Sequence, residues 1–266
     1  MPLDFDPQFL DVDFTKDPKF VLGDLTPPGE TFAGVREYGD TFHVIPENEW
    51  SALIEAQEAE GGGAERLVTM IFNQGQEGSC VANACAQAHQ IMQARQFGKD
   101  QVVKLSAMSL YKRIGRSAQS GAMVSDGMEE LETRGILPLD TPENRERFSH
   151  VHPARGFGTA LPSLWTTTAE RFLLFERHVI RNTAQMGTAL LNQHPVVVGR
   201  SGHSICYVAL KRRGASYAAP YPNSWDYDWG VPMGDMTGGF GVDSWGNIQS
   251  SSQWAFAITQ VRDWRV

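Results

Sequence analysis

Three observations in the sequence predict an α+β fold in two lobes. Apolar residues at helical spacing dominate the first half, β-branched and alternating runs dominate the second, and no internal repeat relates them. With 266 residues, 41% of them apolar and 20% charged, the chain can bury one large core or two modest ones.

Residues 1–60 read as an N-terminal extension, a pro-segment, tether or assembly arm. They are rich in Pro, Asp and Glu, contain the linker-like "LTPPGET", and end near the break "EGGG" at Glu60–Gly63. Within them "NEWSALIEAQEAE" predicts one short amphipathic helix. A main domain follows over 61–266, mainly helical over 61–160 and mainly β over 161–266. It opens with "RLVTMIF" as a short strand or extended entry and the turn "NQGQEGS". A helix is predicted from Cys80 to about Phe97, with Gly98 as its stop. "LSAMSLYKRIG" predicts a helix and "RSAQSGAMVS" a loop. "DGMEELETRGI" predicts another helix, anchored by Met128, Leu131 and Ile136 and ended by Gly135. "FERHVIRNTAQMGTALLNQ" reads as one longer helix, with Val179, Ile180, Met186, Ala189 and Leu190 near helical spacing. From there the period changes, and "PVVVG", "SICYVAL", "GGFGVDS" and "WAFAITQV" predict strands.

Composition excludes several roles. Lys plus Arg number 23 against 31 Asp plus Glu, for a net charge of -8, so no basic stripe is available for nucleic acid. The tight basic cluster "KRR", Lys211–Arg213, reads as a solvated turn. No run approaches the ~18 apolar residues of a membrane span, and "MPLDFDPQFLDVDF" lacks the basic-then-apolar pattern of a signal peptide. Cys80, Cys85 and Cys206 form no disulfide framework. The expectation is a cytoplasmic protein, with a virion-associated setting as the alternative, and no membrane partner.

The chemistry centres on Cys80. A thiol reacts as thiolate, and an ordinary pKa of about 8.5 leaves little thiolate at neutral pH. A helix N-terminus and an adjacent imidazole both correct this. The helix predicted from Cys80 supplies the first device, and the imidazole must come from elsewhere. His89 lies nine helical residues on, about 900° of rotation and so opposite Cys80, while Cys85 is turned about 140° away. Cys85 and His89 share a face, but two ligands make a poor metal site and packing is the better reading. "HVH" at His150 and His152 is equally weak, and His43, His178 and His194 show no partner pattern. No metal site and no cofactor are expected. His203, opening a strand in "SGHSICYVAL", stands out as the imidazole, and Asn223 in "PNSWDYDWG" can orient it.

Together these pieces resemble papain-like cysteine peptidases, over about residues 64–245. The run Gln74-Gly75-Gln76-Glu77-Gly78-Ser79-Cys80 is similar to that family's nucleophile segment. His203 and Asn223 follow Cys80 by 123 and 143 residues, and "NSW" with "WG" at Asn223–Gly230 matches the family's Asn segment. "LSAMSLY" and "QSGAMVSDGMEEL" are similar to its following helix and substrate-cleft loop, in the manner of bacterial and phage-type members. The resemblance implies a helical left lobe, a β-barrel-like right lobe and an active-site cleft between them. It also implies a cysteine endopeptidase acting on protein or peptide. Cys80 would be the nucleophile, His203 the general base and acid, Asn223 its orienting partner, and Gln74 an oxyanion donor beside the Cys80 N–H. Gly121, Ala122, Gly202 and Trp225 would form the substrate-binding surface, with Trp225 covering the Asn223–His203 bond.

Three departures from the family pattern stand out. Glu77 occupies a position where members carry a bracing cysteine, and Val81 replaces a bulky aromatic. Only Arg200, Ser201 and Gly202 separate "PVVVG" from His203, which implies an open or reshaped cleft. The rival reading, carried by these departures and the unusual N-terminus, is an inactive papain-fold structural or interaction protein, for example in a viral particle. Residues 1–60 would then bind an assembly partner.

Overall fold

The computed structural model describes residues 7–16, 23–25, 34–148, 157–158, 160–200, 202–251 and 254–266. His150 and His152 lie outside the described residues, as does most of "LTPPGET". Among the described residues the helices are α1 (Tyr38–Thr41), α2 (Glu47–Ala59), α3 (Cys80–Phe97), α4 (Ala107–Ile114) and α5 (Val124–Thr133). They continue with α6 (Pro142–Phe148), α7 (Trp165–Ala169), α8 (Thr183–Leu191) and α9 (Trp245–Ser251). The strands are β1 (Leu174–Val179), β2 (Val196–Arg200), β3 (His203–Tyr207), β4 (Lys211–Arg213), β5 (Ser216–Pro222), β6 (Val231–Met233), β7 (Met236–Ser244) and β8 (Trp254–Val261). They form two antiparallel sheets, ordered β1-β8-β2-β3 and β4-β5-β7-β6. The expected α+β, two-lobed layout is the one observed.

The predicted helix over Cys80–Phe97 has those bounds. From Cys80 to Ala94 every residue of α3 is buried, because the helix runs through the centre and packs on α4, α5, β3 and β8. Its small alanines allow that close approach on all sides. Its glutamines serve neighbouring backbone: Gln90 and Gln93 accept from the Leu105 and Val103 N–H groups, and Gln96 from Val261 N–H at 2.8 Å. In α4 the Ser106 hydroxyl caps the helix by accepting from Ser109 N–H at 3.0 Å.

Three readings of the sequence need correction. The run 175–193 is not one helix: Leu174–Val179 is strand β1, paired with β8, and α8 begins only at Thr183. Asn182 explains the break, since its side chain caps α8 by accepting from Gln185 N–H at 2.9 Å. Of the two readings of "RLVTMIF", the extended entry is the one observed. A 3-10 turn covers Ala64–Leu67, and the extended chain after it is held by side groups such as the Tyr227 hydroxyl, which accepts from Ile71 N–H. "SICYVAL" is strand only to Tyr207. "KRR" is strand β4 rather than a turn, and buried Lys211 pairs with Glu65 at 2.5 Å.

Two large apolar clusters form most of the core, with a small third of Leu137, Phe148 and Ala169. One surrounds α3 and reaches Phe172, Val197, Phe240 and Phe256. The other lies in the β-rich lobe and includes Phe14, Tyr38, Trp50 and Ile54 from the first 60 residues, beside Val198, Ile205, Tyr221 and Trp225. Part of the N-terminal region is therefore built into the β lobe. α2 lies on α8 with Trp50 against Gly187, edge-on to Trp245 at 5.2 Å.

Candidate active site

Cys80 is the first residue of α3, with no solvent exposure. The 73–79 turn before it is fixed on both sides. Asn73 bridges to Trp225, Gln74 N–H donates to Ser224 C=O at 2.9 Å, and Gly78 N–H donates to Ala118 C=O at 2.9 Å. The Gln74 side chain is held at both ends. Its amide nitrogen donates to Glu77 C=O at 2.9 Å, and its oxygen accepts from the Ser224 hydroxyl at 2.6 Å.

His203 opens β3, which packs against α3. In the β2–β3 ladder His203 pairs with Arg200. His203 Nε2 lies 2.8 Å from Asn223 Oδ1, and Ser224 N–H donates to that same oxygen at 2.9 Å. Because a backbone donor identifies the atom as oxygen, Nε2 must carry the proton. Nδ1, buried and without a hydrogen-bond partner, is then left with its lone pair. Trp225 lies over the pair, its ring 5.1 Å from the imidazole. Burial lowers the His203 pKa to about 4, partly offset by the Asn223 bond and reinforced by Arg200. The imidazole is thus neutral.

Two pieces of the N-terminal region complete the site. Phe14 is 1% exposed, and its ring lies 4.4 Å from His203 and 5.5 Å from Trp225. Its segment is pinned to β7: Asp11 N–H donates to Val242 C=O, and the Asp11 carboxylate accepts from Ser244 N–H and Oγ–H at 2.7 and 2.8 Å. Arg200 donates to Val12 C=O and pairs with buried Asp243, which also accepts from Tyr207.

Residues 23–25 then cross the site, bonded to both sides. Ala122 N–H donates to Gly23 C=O at 2.7 Å and Leu25 N–H to Ala122 C=O at 3.0 Å. On the other side Asp24 N–H donates to Gly202 C=O at 2.8 Å. Contact is backbone to backbone: a Cβ on Gly121 would lie 2.4 Å from Gly23 O, and one on Gly23 2.0 Å from Gly78 O. Cys80 lies beneath this crossing. Loss of solvent, then the nearby Asp24 carboxylate, push its thiol up to about 12, while the amides of Ser204, Gly23 and Val81 favour the thiolate.

Ala122 and Gly202, expected to meet a substrate, thus bond to the chain's own residues 23–25, with Gly121 in contact. A cavity of about 570 Å³ between α5, β1 and residues 34–36 is lined by none of the site residues. Cys85 and His89 are packing groups: His89 lies 3.3 Å from Leu173 O and 3.2 Å from Gln93, and Cys85 abuts Gly127. His194, read as partnerless, lies 2.9 Å from the Tyr38 hydroxyl. Sequence reasoning missed Phe14, Asp24 and Ser224. The alternation Leu10-Asp11-Val12-Asp13-Phe14 signals an extended docking segment, whereas nothing local marks Asp24.

This arrangement of a central helix, two lobes and a site between them is the fold of papain-like cysteine proteases. The chain is similar to xylellain, a cysteine protease from Xylella fastidiosa, at 16% identity and a TM-score of 0.55, covering 90% of this chain and 92% of that one. It is also similar to the digestive procathepsin L2 proteinase of Tenebrio molitor larval midgut, at 14% identity and a TM-score of 0.62 over 94% and 83% of the two chains. The proform of the ragweed pollen allergen Amb a 11 gives 17% identity and a TM-score of 0.57 over 74% and 64%. No family model and no curated protein matches the chain.

Proposed function

We propose that this protein is a cysteine-type peptidase that hydrolyses peptide bonds through Cys80, His203 and Asn223, in a form whose site is covered by its own N-terminal segment. The observation that supports this best is the Nε2-protonated His203, held by Asn223 with Nδ1 unpartnered, beside a thiol at a helix N-terminus. Once uncovered, Cys80 passes its proton to His203 Nδ1 and the thiolate attacks the scissile carbonyl. The oxyanion is met by the Cys80 N–H and the Gln74 amide, in sites where one such donor is worth about 3–4 kcal/mol. His203 returns the proton to the leaving amine, and water hydrolyses the thioester with His203 as base. Asn223 keeps the tautomer without adding charge, and Trp225 keeps water off its bond. Gly121, Ala122 and Gly202 would hold substrate backbone where they now meet residues 23–25. The mechanism uses no metal or cofactor.

Residues 1–60 remain the N-terminal extension before a 61–266 catalytic domain. Residues 7–16 and 23–25 act as the cover, and the part from Tyr38 to Ile54 stays fixed in the β lobe. Among the described residues no helix is long and apolar enough to cross a membrane, and a soluble cytoplasmic enzyme of bacterial or phage type fits this reading.

A peptidyl epoxide and a protein substrate test it after the cover is removed. Labelling and hydrolysis are expected, both lost in Cys80→Ala and His203→Ala. Full hydrolysis by Cys80→Ala would sink the proposal. The complete burial of Cys80 favours one other reading, a papain-fold interaction protein. Absence of labelling on a folded, uncovered chain would support that instead.

A further inference from the structure

Asp24 is a poor residue to bury in a cleft, and its surroundings give it a role. Its Oδ1 is shut off from solvent with no hydrogen-bond partner. Its Oδ2 fills the space left by Gly199, where a Cβ would lie 2.5 Å away. Its backbone is tied to one wall through Gly202 and flanked on the other by the bonds of Gly23 and Leu25 to Ala122. Asp24 as a whole is half-buried, but its Oδ1 is kept from water while residues 23–25 stay in place.

No countercharge meets it there among the described residues. From α3 come the thiols of Cys80 and Cys85, both of which feel its negative charge as unfavourable. From β2 comes Arg200, whose guanidinium is spent on Asp243 and Val12 C=O and whose backbone N–H alone faces the carboxyl. From β3 comes His203, kept neutral by burial. The turn before α3 brings Glu77, whose carboxylate accepts from Phe157 N–H and feels Lys112.

We propose that Asp24 is a pH-sensitive latch on the site: its neutral carboxyl holds residues 23–25 across Cys80, and ionisation as pH rises releases them. This deepens the peptidase reading and rests on it only for what release uncovers. Burial lifts the carboxyl from 3.8 to about 7, partly offset by the Arg200 amide. The sign follows from linkage. Between those values the docked segment binds a proton that the free segment does not, so docking is strongest below pH 4. It weakens up to tenfold per unit as pH rises toward 7, about a thousandfold in all, and levels off above.

Hydrogen exchange on the full chain tests the latch, in a Cys80→Ala background that removes thiol titration. Amide protection of residues 23–25 and 122, corrected for the intrinsic pH dependence of exchange, should fall about 10²- to 10³-fold between pH 4.5 and 8. Adding Asp24→Asn, neutral at every pH and close in shape, should leave protection high and flat. Equal pH dependence with and without Asp24→Asn would overturn the proposal, as would no dependence in either. So would loss of protection in Asp24→Asn at low pH, which would mean that the charged form is the one that docks. Because Cys80→Ala has no nucleophile, this result is independent of peptide hydrolysis. A working latch over a site that never hydrolyses peptides would refute the peptidase and keep the latch.

Discussion

Replacing Phe14 by Ala should open the site without unfolding the protein. The ring is 1% exposed and contacts His203 at 4.4 Å, Trp225 at 5.5 Å and Tyr221 at 6.1 Å, with the Arg200 guanidinium 5.0 Å above it. Truncating a buried Phe costs about 3–5 kcal/mol. The residues before and after Phe14 hold the β lobe through separate backbone bonds, so the loss falls mainly on docking of residues 7–16 and 23–25. A cost of that size weakens docking by roughly 10²- to 4 × 10³-fold. Peptide-resolved alkylation is the assay, because Cys80, Cys85 and Cys206 are all free and buried. Alkylation of Cys80 should accelerate by up to that factor while Cys85 and Cys206 stay protected. If all three cysteines are labelled together, Phe14 belongs to the cooperative core and no separable cover exists. If Cys80 labelling does not change, the cover is not held by Phe14. Either result refutes the reasoning.

Three further outcomes follow from the same geometry. Asn223→Ala removes the acceptor that fixes the His203 tautomer, and turnover of the uncovered protein should fall roughly 10²-fold with thermal stability little changed, as read by steady-state kinetics and a melting curve. Gly187→Ala places a Cβ 2.4 Å from the Trp50 ring. Overpacking of this kind costs about 1–3 kcal/mol, and calorimetry should show Tm lowered by several degrees. Glu77, buried in the turn before α3, has its carboxyl raised to about 7 by burial, partly offset by Phe157 N–H and Lys112. Its folded form therefore holds a proton that the unfolded chain gives up, and the protein loses stability as pH rises through 7. Glu77→Gln should accordingly raise Tm at pH 8 relative to wild type and change it little at pH 4, in melts across that range.

The parts of the fold legible in the sequence are those whose cause is local. The Cys80–Phe97 helix lies between a glycine turn and a glycine stop, and the Val196–Arg200 strand is a β-branched run. The Leu174–Val179 strand was misread because Val179 and Ile180 also fall at helical spacing from Met186. What decides it is pairing with Trp254–Val261, some 80 residues away. Of the candidate site, local context points to Cys80, His203 and Asn223 and the resemblance to papain-like peptidases to Gln74, and the structure brings His203 to Asn223 and Gln74 to Ser224. Asp24 left no trace, because its role is set by the vacancy at Gly199 and by backbone bonds to Ala122 and Gly202. None of these can be inferred from an Asp between a Gly and a Leu.

The thiol itself separates what belongs to the domain from what belongs to the cover. Two influences raise Cys80, loss of solvent and the Asp24 charge. The Asp24 charge comes with residues 23–25, and much of the lost solvent does too, since these residues roof the sulfur. Of the amides that favour the thiolate, Gly23 belongs to the cover, but Ser204 and Val81 sit on β3 and at the start of α3. Removing the cover therefore takes away the unfavourable influences and one favourable amide, and leaves the helix N-terminus and the Ser204 N–H in place. His203 changes to the same effect. Its low pKa comes first from burial, and Phe14 supplies part of that burial, so uncovering should raise it toward the ordinary imidazole range. On the proposed mechanism, Phe14 and residues 23–25 would thus oppose both halves of the proton transfer, while the Asn223–His203 bond and the Gln74–Ser224 bond are made without them.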